Sequence, residues 1–146
     1  MAAVNQEIPD KQHIRELQNR YSYAIDSGQY DKLDGMFTPD ATYHFVTGST
    51  DNIEALKKTI QDALQPLTSS QHINGNQWAD IEGDRATAGC YFTVHMFKEG
   101  VVDGEHFEMG GRYDDELLRT PDGWRFTSRT ISILWSDGNR KVRWQD

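Results

Sequence analysis

The segment Ile14-Arg-Glu-Leu-Gln-Asn-Arg-Tyr-Ser-Tyr-Ala-Ile-Asp26-Ser-Gly28 decides how the first part of the chain folds. Its apolar residues recur every three or four positions, which predicts an amphipathic helix with one buried face. Asp10 is positioned to cap the start of this helix, and Gly28 is the expected end. Residues 1–9 are predicted to be a loose N-terminal arm.

Two further helices are predicted before Pro66. The first is short, contains Tyr30, Leu33, Met36 and Phe37, and is stopped by Pro39 because the residue before a proline disfavours helical geometry. A strand is expected over residues 41–46. The next helix begins at a capping box formed by Asp51 and Glu54.

The second half of the chain changes to a period of two, which predicts strands. The expected strands are 72–81, 85–97, 106–119 and 124–135, separated by turn sequences such as Thr120-Pro-Asp-Gly123. Helices followed by strands predict an α+β fold. We expect a cone-shaped half-barrel, in which a curved mixed or antiparallel sheet wraps around three N-terminal helices and leaves one end open.

Composition limits the classes of protein that fit. The chain has 146 residues and a formal net charge of −8, which suits a single domain over 1–146 and disfavours binding to nucleic acid. No apolar run is long enough to span a membrane and no signal peptide is recognisable, so we expect a cytoplasmic protein. Cys90 is the single cysteine and is expected to be a buried thiol. Metal-ligand spacings and cofactor motifs are missing, so neither a metal nor a cofactor is predicted.

Four blocks of sequence resemble a known family. They are Ile14–Tyr21 with Asp26; Gln71-His72 with Trp78; Gly111-Arg-Tyr-Asp114; and Asp122-Gly-Trp-Arg-Phe126 with Arg129 and Trp135. Together they resemble the SnoaL-like domain of the nuclear-transport-factor-2-like (NTF2-like) superfamily over roughly residues 10–136.

Within that superfamily, the placement of Asp26 and His72 is similar to scytalone dehydratase, the lindane dehydrochlorinase and the bile-acid dehydratase. In those enzymes the matching Asp and His form a catalytic dyad. The bile-acid enzyme also has a tyrosine at the position of Tyr21, but its additional catalytic Asp aligns with about Val94, so that part of its site is missing here.

The resemblance implies a cofactor-independent lyase of the dehydratase type, or an isomerase, acting on a small hydrophobic cyclic compound. Imidazole suits the role of base, and a carboxylate fixes its tautomer. Polyketide cyclases and the small subunits of ring-hydroxylating dioxygenases share the fold. A cyclase and a non-catalytic binding subunit are therefore open alternatives.

Three polar residues have a functional and a structural interpretation. Tyr21 could donate a proton or hold a carbonyl oxygen, or it could only pack in the core. Arg129 could bind an anionic group or pair with an acidic residue. His95 could protonate a leaving group, but strict alternation places it on the face opposite Phe92 and Val94 unless a bulge intervenes.

Aromatic residues are expected to line an apolar pocket, namely Phe37, Tyr43, Phe92 and Trp135. Arg112 is expected to pair with Asp114 or Glu116 on its own strand. Resemblance to the family also implies a homodimer or homotrimer. The C-terminal tail, residues 137–146, is predicted to form a pocket lid or to contact a neighbouring subunit.

Overall fold

The structure, a computed structural model, describes residues 2–144, with side chains described from residue 6 onward. Helix α1 (Ala2–Asp26) and a 3₁₀ helix (Tyr30–Gly35) precede strands β1 (Phe37–Phe45) and β2 (Gly48–Thr50). Helix α2 (Ile53–Leu64) follows. The chain continues through β3 (Ser69–Glu82), β4 (Arg85–Phe97), β5 (His106–Thr120), β6 (Gly123–Gly138) and a 3₁₀ helix (Arg140–Val142).

All six strands form one sheet in the order β2-β1-β6-β5-β4-β3. Strand β1 pairs with β6 in parallel, and the other neighbours are antiparallel, so the sheet is mixed. The sheet is curved and does not close, and the helices lie against its concave face. The predicted α+β cone is therefore confirmed.

The apolar face of α1 forms the inner layer of the core. Its predicted stripe is buried, namely Ile14, Leu17, Tyr21, Ala24 and Ile25. This face packs mainly against β3, and the burial of these side chains is the main force that holds the helix in place. No helix among residues 2–144 combines the length and apolar character needed to cross a bilayer.

The predicted start of α1 was wrong. Residues 2–9 are helical, with Pro9 inside the helix, so the loose arm is not observed there; Met1 lies outside the described residues. Asp10 does not cap a helix. It is buried and accepts hydrogen bonds from Arg119 at 2.6 and 2.7 Å and from Trp124 at 3.0 Å. These tertiary contacts, which local sequence does not reveal, hold the helix at the residue that follows the proline.

Smaller corrections concern element ends. The side chain of Asn52, not Asp51, caps α2 by accepting a hydrogen bond from the amide of Ala55 at 2.8 Å. Strand β1 begins at Phe37 because that residue pairs in parallel with Phe126. The short strand β2 was not predicted.

Candidate functional site

A cavity of about 480 Å³ lies between the helices and the concave face of the sheet. Alternate residues of β4, β5 and β6 form its apolar wall: Phe92, Val94, Met96, Met109, Ile131 and Ile133. A cavity of this size and character suits a ring system with few polar groups.

Asp26 and His72 meet at the edge of this cavity. Asp26 is the last residue of α1, and its Oδ1 lies 2.7 Å from Nδ1 of His72 on β3. The other carboxylate oxygen, Oδ2, accepts a hydrogen bond from the backbone amide of His72 at 2.6 Å. The two side chains are only 17% and 8% exposed. Both the ring and the backbone of His72 are thus held by one carboxylate.

This contact determines which nitrogen of His72 faces the ligand space. An ionised carboxylate only accepts hydrogen bonds, so in the neutral imidazole Nδ1 carries the proton and Nε2 keeps its lone pair. His72 lines the cavity, where its ring lies 6.2 Å from that of Phe92. The imidazole therefore presents a basic nitrogen to an apolar space.

Ser70 supports the same carboxylate and was missed by the sequence analysis. Its hydroxyl donates to Oδ1 of Asp26 at 2.8 Å. Ser70 and His72 are two residues apart on β3 and so lie on the same face of the strand. That spacing was the only signal in the sequence that could have suggested its role.

Tyr21 and Tyr43 form a pair of buried phenols in the cavity. Their hydroxyl oxygens are 2.9 Å apart, and both residues line the cavity. Burial raises the pKa of Tyr21, and it raises the pKa of Tyr43 well above its ordinary value, so both phenols are neutral. One hydrogen bond joins two hydroxyls, which leaves one O–H free to donate to a bound molecule.

Arg129 does not line the cavity, so the structural interpretation holds for this residue. It is fully buried, and its guanidinium donates to both oxygens of Asp115 at 2.7 and 2.9 Å. Although burial alone lowers the pKa of Arg129, the attraction of Asp115 and the hydrogen bonds to it raise the pKa above its ordinary value. The guanidinium carbon lies 4.3 Å from the ring centre of Tyr21 and 4.0 Å from that of Tyr113. Arg129 therefore supports the floor of the cavity from behind.

The predicted aromatic lining is found only in part. Tyr43 and Phe92 line the cavity. Phe37 is buried behind Tyr21, with ring centres 6.0 Å apart, and does not reach the cavity.

Trp135 lies on the outer face of the sheet and is 46% exposed, where its ring covers Gly110. The cause is a bulge. Gly110 and Gly111 pair with Trp135 and Ile133, so one residue of β6 is skipped and the alternation of faces reverses.

His95 also lies outside the cavity. It follows Val94, which faces inward, and its ring contacts His106 and Glu108 on the outer face. Strict alternation thus predicted its orientation, and His95 is not among the residues that line the cavity. Arg112 pairs with Asp114 at 3.0 Å, as its structural interpretation expected.

Residues of the C-terminal segment line one end of the cavity, here called its mouth. Val142 is buried, and Trp144 packs edge-on against Phe107 with ring centres 5.5 Å apart. Arg140, Arg143 and Trp144 line the mouth. Burial lowers the pKa of Arg143. Part of the predicted C-terminal tail therefore lines the cavity, its role as a lid stays a prediction, and residues 145–146 lie outside the described residues.

One cluster of possible metal ligands occurs among the described residues. His95, His106 and Glu108 have ligand atoms within 4.8 Å of one another on the outer face of the sheet. These residues show no metal-ligand spacing along the chain, because the pairing of β4 with β5 is what brings them together.

Comparison with known proteins gives the family. A family model described as a SnoaL-like domain matches residues 6–130. An uncharacterised protein of Mycobacterium tuberculosis is 34% identical over 128 residues, covering 84% of each chain. An NTF2-like protein of Novosphingobium aromaticivorans with a cystatin-like fold is 31% identical, covers 97% of this chain and 92% of its own, and has a TM-score of 0.75.

A second structure from the same organism, provisionally assigned as a scytalone dehydratase, has a TM-score of 0.84 at 17% identity. The match covers 92% of this chain and 90% of the other. At that identity the likeness shows the fold alone.

The fold and the apolar cavity define a small α+β cone protein with an internal pocket. The chain belongs to the SnoaL-like family of the NTF2-like superfamily.

Proposed function

We propose that the protein is a cofactor-independent lyase that eliminates water from a small hydrophobic cyclic compound. A single observation carries the proposal: Asp26 holds Nδ1 of His72, whose side chain lines an apolar cavity and whose Nε2 has no hydrogen-bond partner among the described residues. Such a nitrogen is a suitable general base near neutral pH. The family includes dehydratases, which supports this choice of reaction.

The proposed reaction starts from a cyclic β-hydroxy ketone. Nε2 of His72 removes the proton next to the carbonyl group, and Asp26 stabilises the imidazolium that forms. The free hydroxyl hydrogen of the Tyr21–Tyr43 pair donates to the carbonyl oxygen, where negative charge develops. The carbon–oxygen bond then breaks, a double bond forms, and the imidazolium returns the proton to the departing hydroxide. Water leaves, and the imidazole of His72 is neutral again beside the ionised Asp26.

The mouth of the cavity suggests one property of the substrate. The side chain of Arg143 makes no hydrogen bond or ion pair with any residue in the part of the chain that the structure describes. Its guanidinium carbon lies 5.4 Å from the ring centre of Trp144, and that of Arg140 lies 4.8 Å from it. Two cations beside an apolar cavity favour a ring compound that carries an anionic substituent. We therefore place a carboxylate or similar group of the substrate at this end.

Substrate screening tests the proposal. Cyclic β-hydroxy ketones, with and without a carboxylate, are incubated with the protein, and formation of the conjugated enone is followed by ultraviolet absorbance. His72→Ala should lower turnover by at least about a hundredfold, the lower range for loss of a general base. His44→Ala, on an exposed position of β1, is the matched control and should retain the rate. Full activity of His72→Ala would refute the mechanism.

The dyad can also be tested without a substrate. The ¹⁵N chemical shifts of a histidine ring distinguish a protonated nitrogen from one with a lone pair. We expect His72 to carry its proton on Nδ1 in the wild type and to lose this preference in Asp26→Leu, which cannot accept a hydrogen bond. The same tautomer in both proteins would show that Asp26 does not orient the ring.

Cyclisation by the same base remains the second candidate reaction, because it also begins with removal of a proton next to a carbonyl group. Product analysis separates the two: elimination releases water and forms a double bond, whereas cyclisation forms a carbon–carbon bond.

A homodimer or homotrimer is the assembly we propose. The outer face of the sheet exposes several large apolar side chains, including Ile73, Tyr91, Leu134 and Trp135, and exposed apolar patches of this kind are typical of interfaces. Light scattering coupled to size-exclusion chromatography measures the mass directly. A monomer would contradict this assembly, and co-purification with a larger metalloprotein would favour the binding-subunit alternative.

A further inference from the structure

Three potential ligands project from the outer face of the sheet, away from the cavity. His95 on β4 pairs in register with Glu108 on β5, and His106 lies two residues before Glu108 on the same face. Their side chains are 35%, 39% and 23% exposed for His95, His106 and Glu108. The group is thus held by paired strands and is accessible from solvent.

The possible ligand atoms lie close together. Nδ1 of His95 lies 3.0 Å from Oε2 of Glu108 and 3.1 Å from Nε2 of His106, and the last two atoms are 3.9 Å apart. A single hydrogen on Nδ1 cannot make two good hydrogen bonds in different directions. Three atoms with lone pairs therefore lie close together, and a single hydrogen cannot satisfy all of them.

These separations match those around a tetrahedral cation. Two ligands at about 2.0–2.1 Å from zinc lie about 3.3 Å apart at the tetrahedral angle. The observed distances of 3.0, 3.1 and 3.9 Å lie on either side of that value. Calcium and magnesium prefer sites made only of oxygen ligands, whereas imidazole nitrogens suit zinc and its neighbours.

We propose that His95, His106 and Glu108 bind a divalent first-row transition metal, with Zn²⁺ as the reference ion. Three protein ligands leave one position open for water or for a donor atom from another molecule. Stacking of His106 on Phe97, with ring centres 4.7 Å apart, restrains that ring before the metal binds.

The site is separate from the Asp26–His72 pair. His72 pairs in register with Val94, and Val94 faces the cavity while the next residue, His95, faces outward. The sheet therefore stands between the two sites. Metal binding and the proposed elimination can succeed or fail independently.

Calorimetric titration of the chelator-treated, full-length protein with Zn²⁺ tests the proposal. We expect saturable binding of one ion per chain. His106→Ala and Glu108→Gln should each weaken it by at least about tenfold, since each removes one of three metal bonds. His44→Ala and His72→Ala should leave it unchanged. Circular dichroism shows whether each variant is folded.

Co²⁺ provides a second readout, because its visible absorption reports the coordination geometry. A tetrahedral spectrum in the wild type that His95→Ala abolishes would support the site. Absence of saturable Zn²⁺ binding, or equal binding by wild type and by folded His106→Ala and Glu108→Gln, would overturn it.

Discussion

Removal of one partner of the Asp115–Arg129 pair should be among the most destabilising single substitutions in the protein. Both side chains are fully buried, and two hydrogen bonds of 2.7 and 2.9 Å join them. Arg129→Met leaves a carboxylate in the core without its cation, which costs about 3–5 kcal/mol for a buried pair of this kind. A domain is stable by only about 5–15 kcal/mol, so the loss is a large fraction of the total.

Urea denaturation followed by tryptophan fluorescence measures this loss. With a dependence of about 2 kcal/mol per molar urea, the midpoint should fall by about 2 M. Arg112→Met is the matched control, because Arg112 pairs with Asp114 at 3.0 Å but the side chains are 52% and 47% exposed. An exposed pair contributes less than about 1 kcal/mol.

The double variant Asp115→Leu/Arg129→Met separates the charge effect from packing. It removes both buried charges and should lose less stability than the two single substitutions added together. A midpoint for Arg129→Met within 0.5 M of the wild type, on the order of the uncertainty of such curves, would refute the argument.

Three further predictions follow from individual residues. Hydrogen bonds from Arg119 lower the pKa of Asp10 from 3.8 to about 2. The ionised Asp10 therefore contributes about 2 kcal/mol to the free energy of unfolding above pH 4, and this contribution is lost as the pH falls through 2. Asp10→Asn should flatten that part of an acid-unfolding curve. Burial raises the pKa of Cys90 to about 11. A thiol reagent at pH 8 should therefore react with Cys90 only after the protein unfolds. Rapid labelling of the native protein would contradict this. Arg143→Met should raise KM for anionic substrates while leaving kcat within about twofold, because the lost ion pair stabilises the bound substrate and the transition state equally. An equal rise in KM for an uncharged analogue would show that Arg143 acts through packing and would contradict this prediction.

The sequence was most informative where local pattern and burial agree. The apolar stripe of α1 follows from the helical spacing of its side chains, and each residue predicted for that stripe is buried. The same rule placed His95 on the outer face, since alternation along β4 is not interrupted. The contact between Asp26 and His72 was suggested only by resemblance, because they are 46 residues apart and nothing local joins them.

The misses have physical causes of two kinds. A bulge at Gly110 and Gly111 reversed the alternation of β6 and placed Trp135 outside the cavity. The other cause is a partner distant in sequence. Asp10 has a carboxylate that could cap a helix, but Arg119, 109 positions away, holds it inside the fold.

The sequence by itself determined the order of helices and strands, the face of α1 that is buried, and the residue types available for chemistry. These properties depend on spacing along the chain, because a helix or a strand presents its side chains with a fixed period. Only the tertiary structure decided that Ser70 supports Asp26, that Arg129 pairs with Asp115, and that ligand atoms of His95, His106 and Glu108 lie within 4.8 Å of one another. Those contacts depend on strand register and on the helix–sheet packing, which join residues that are distant in the chain or on neighbouring strands.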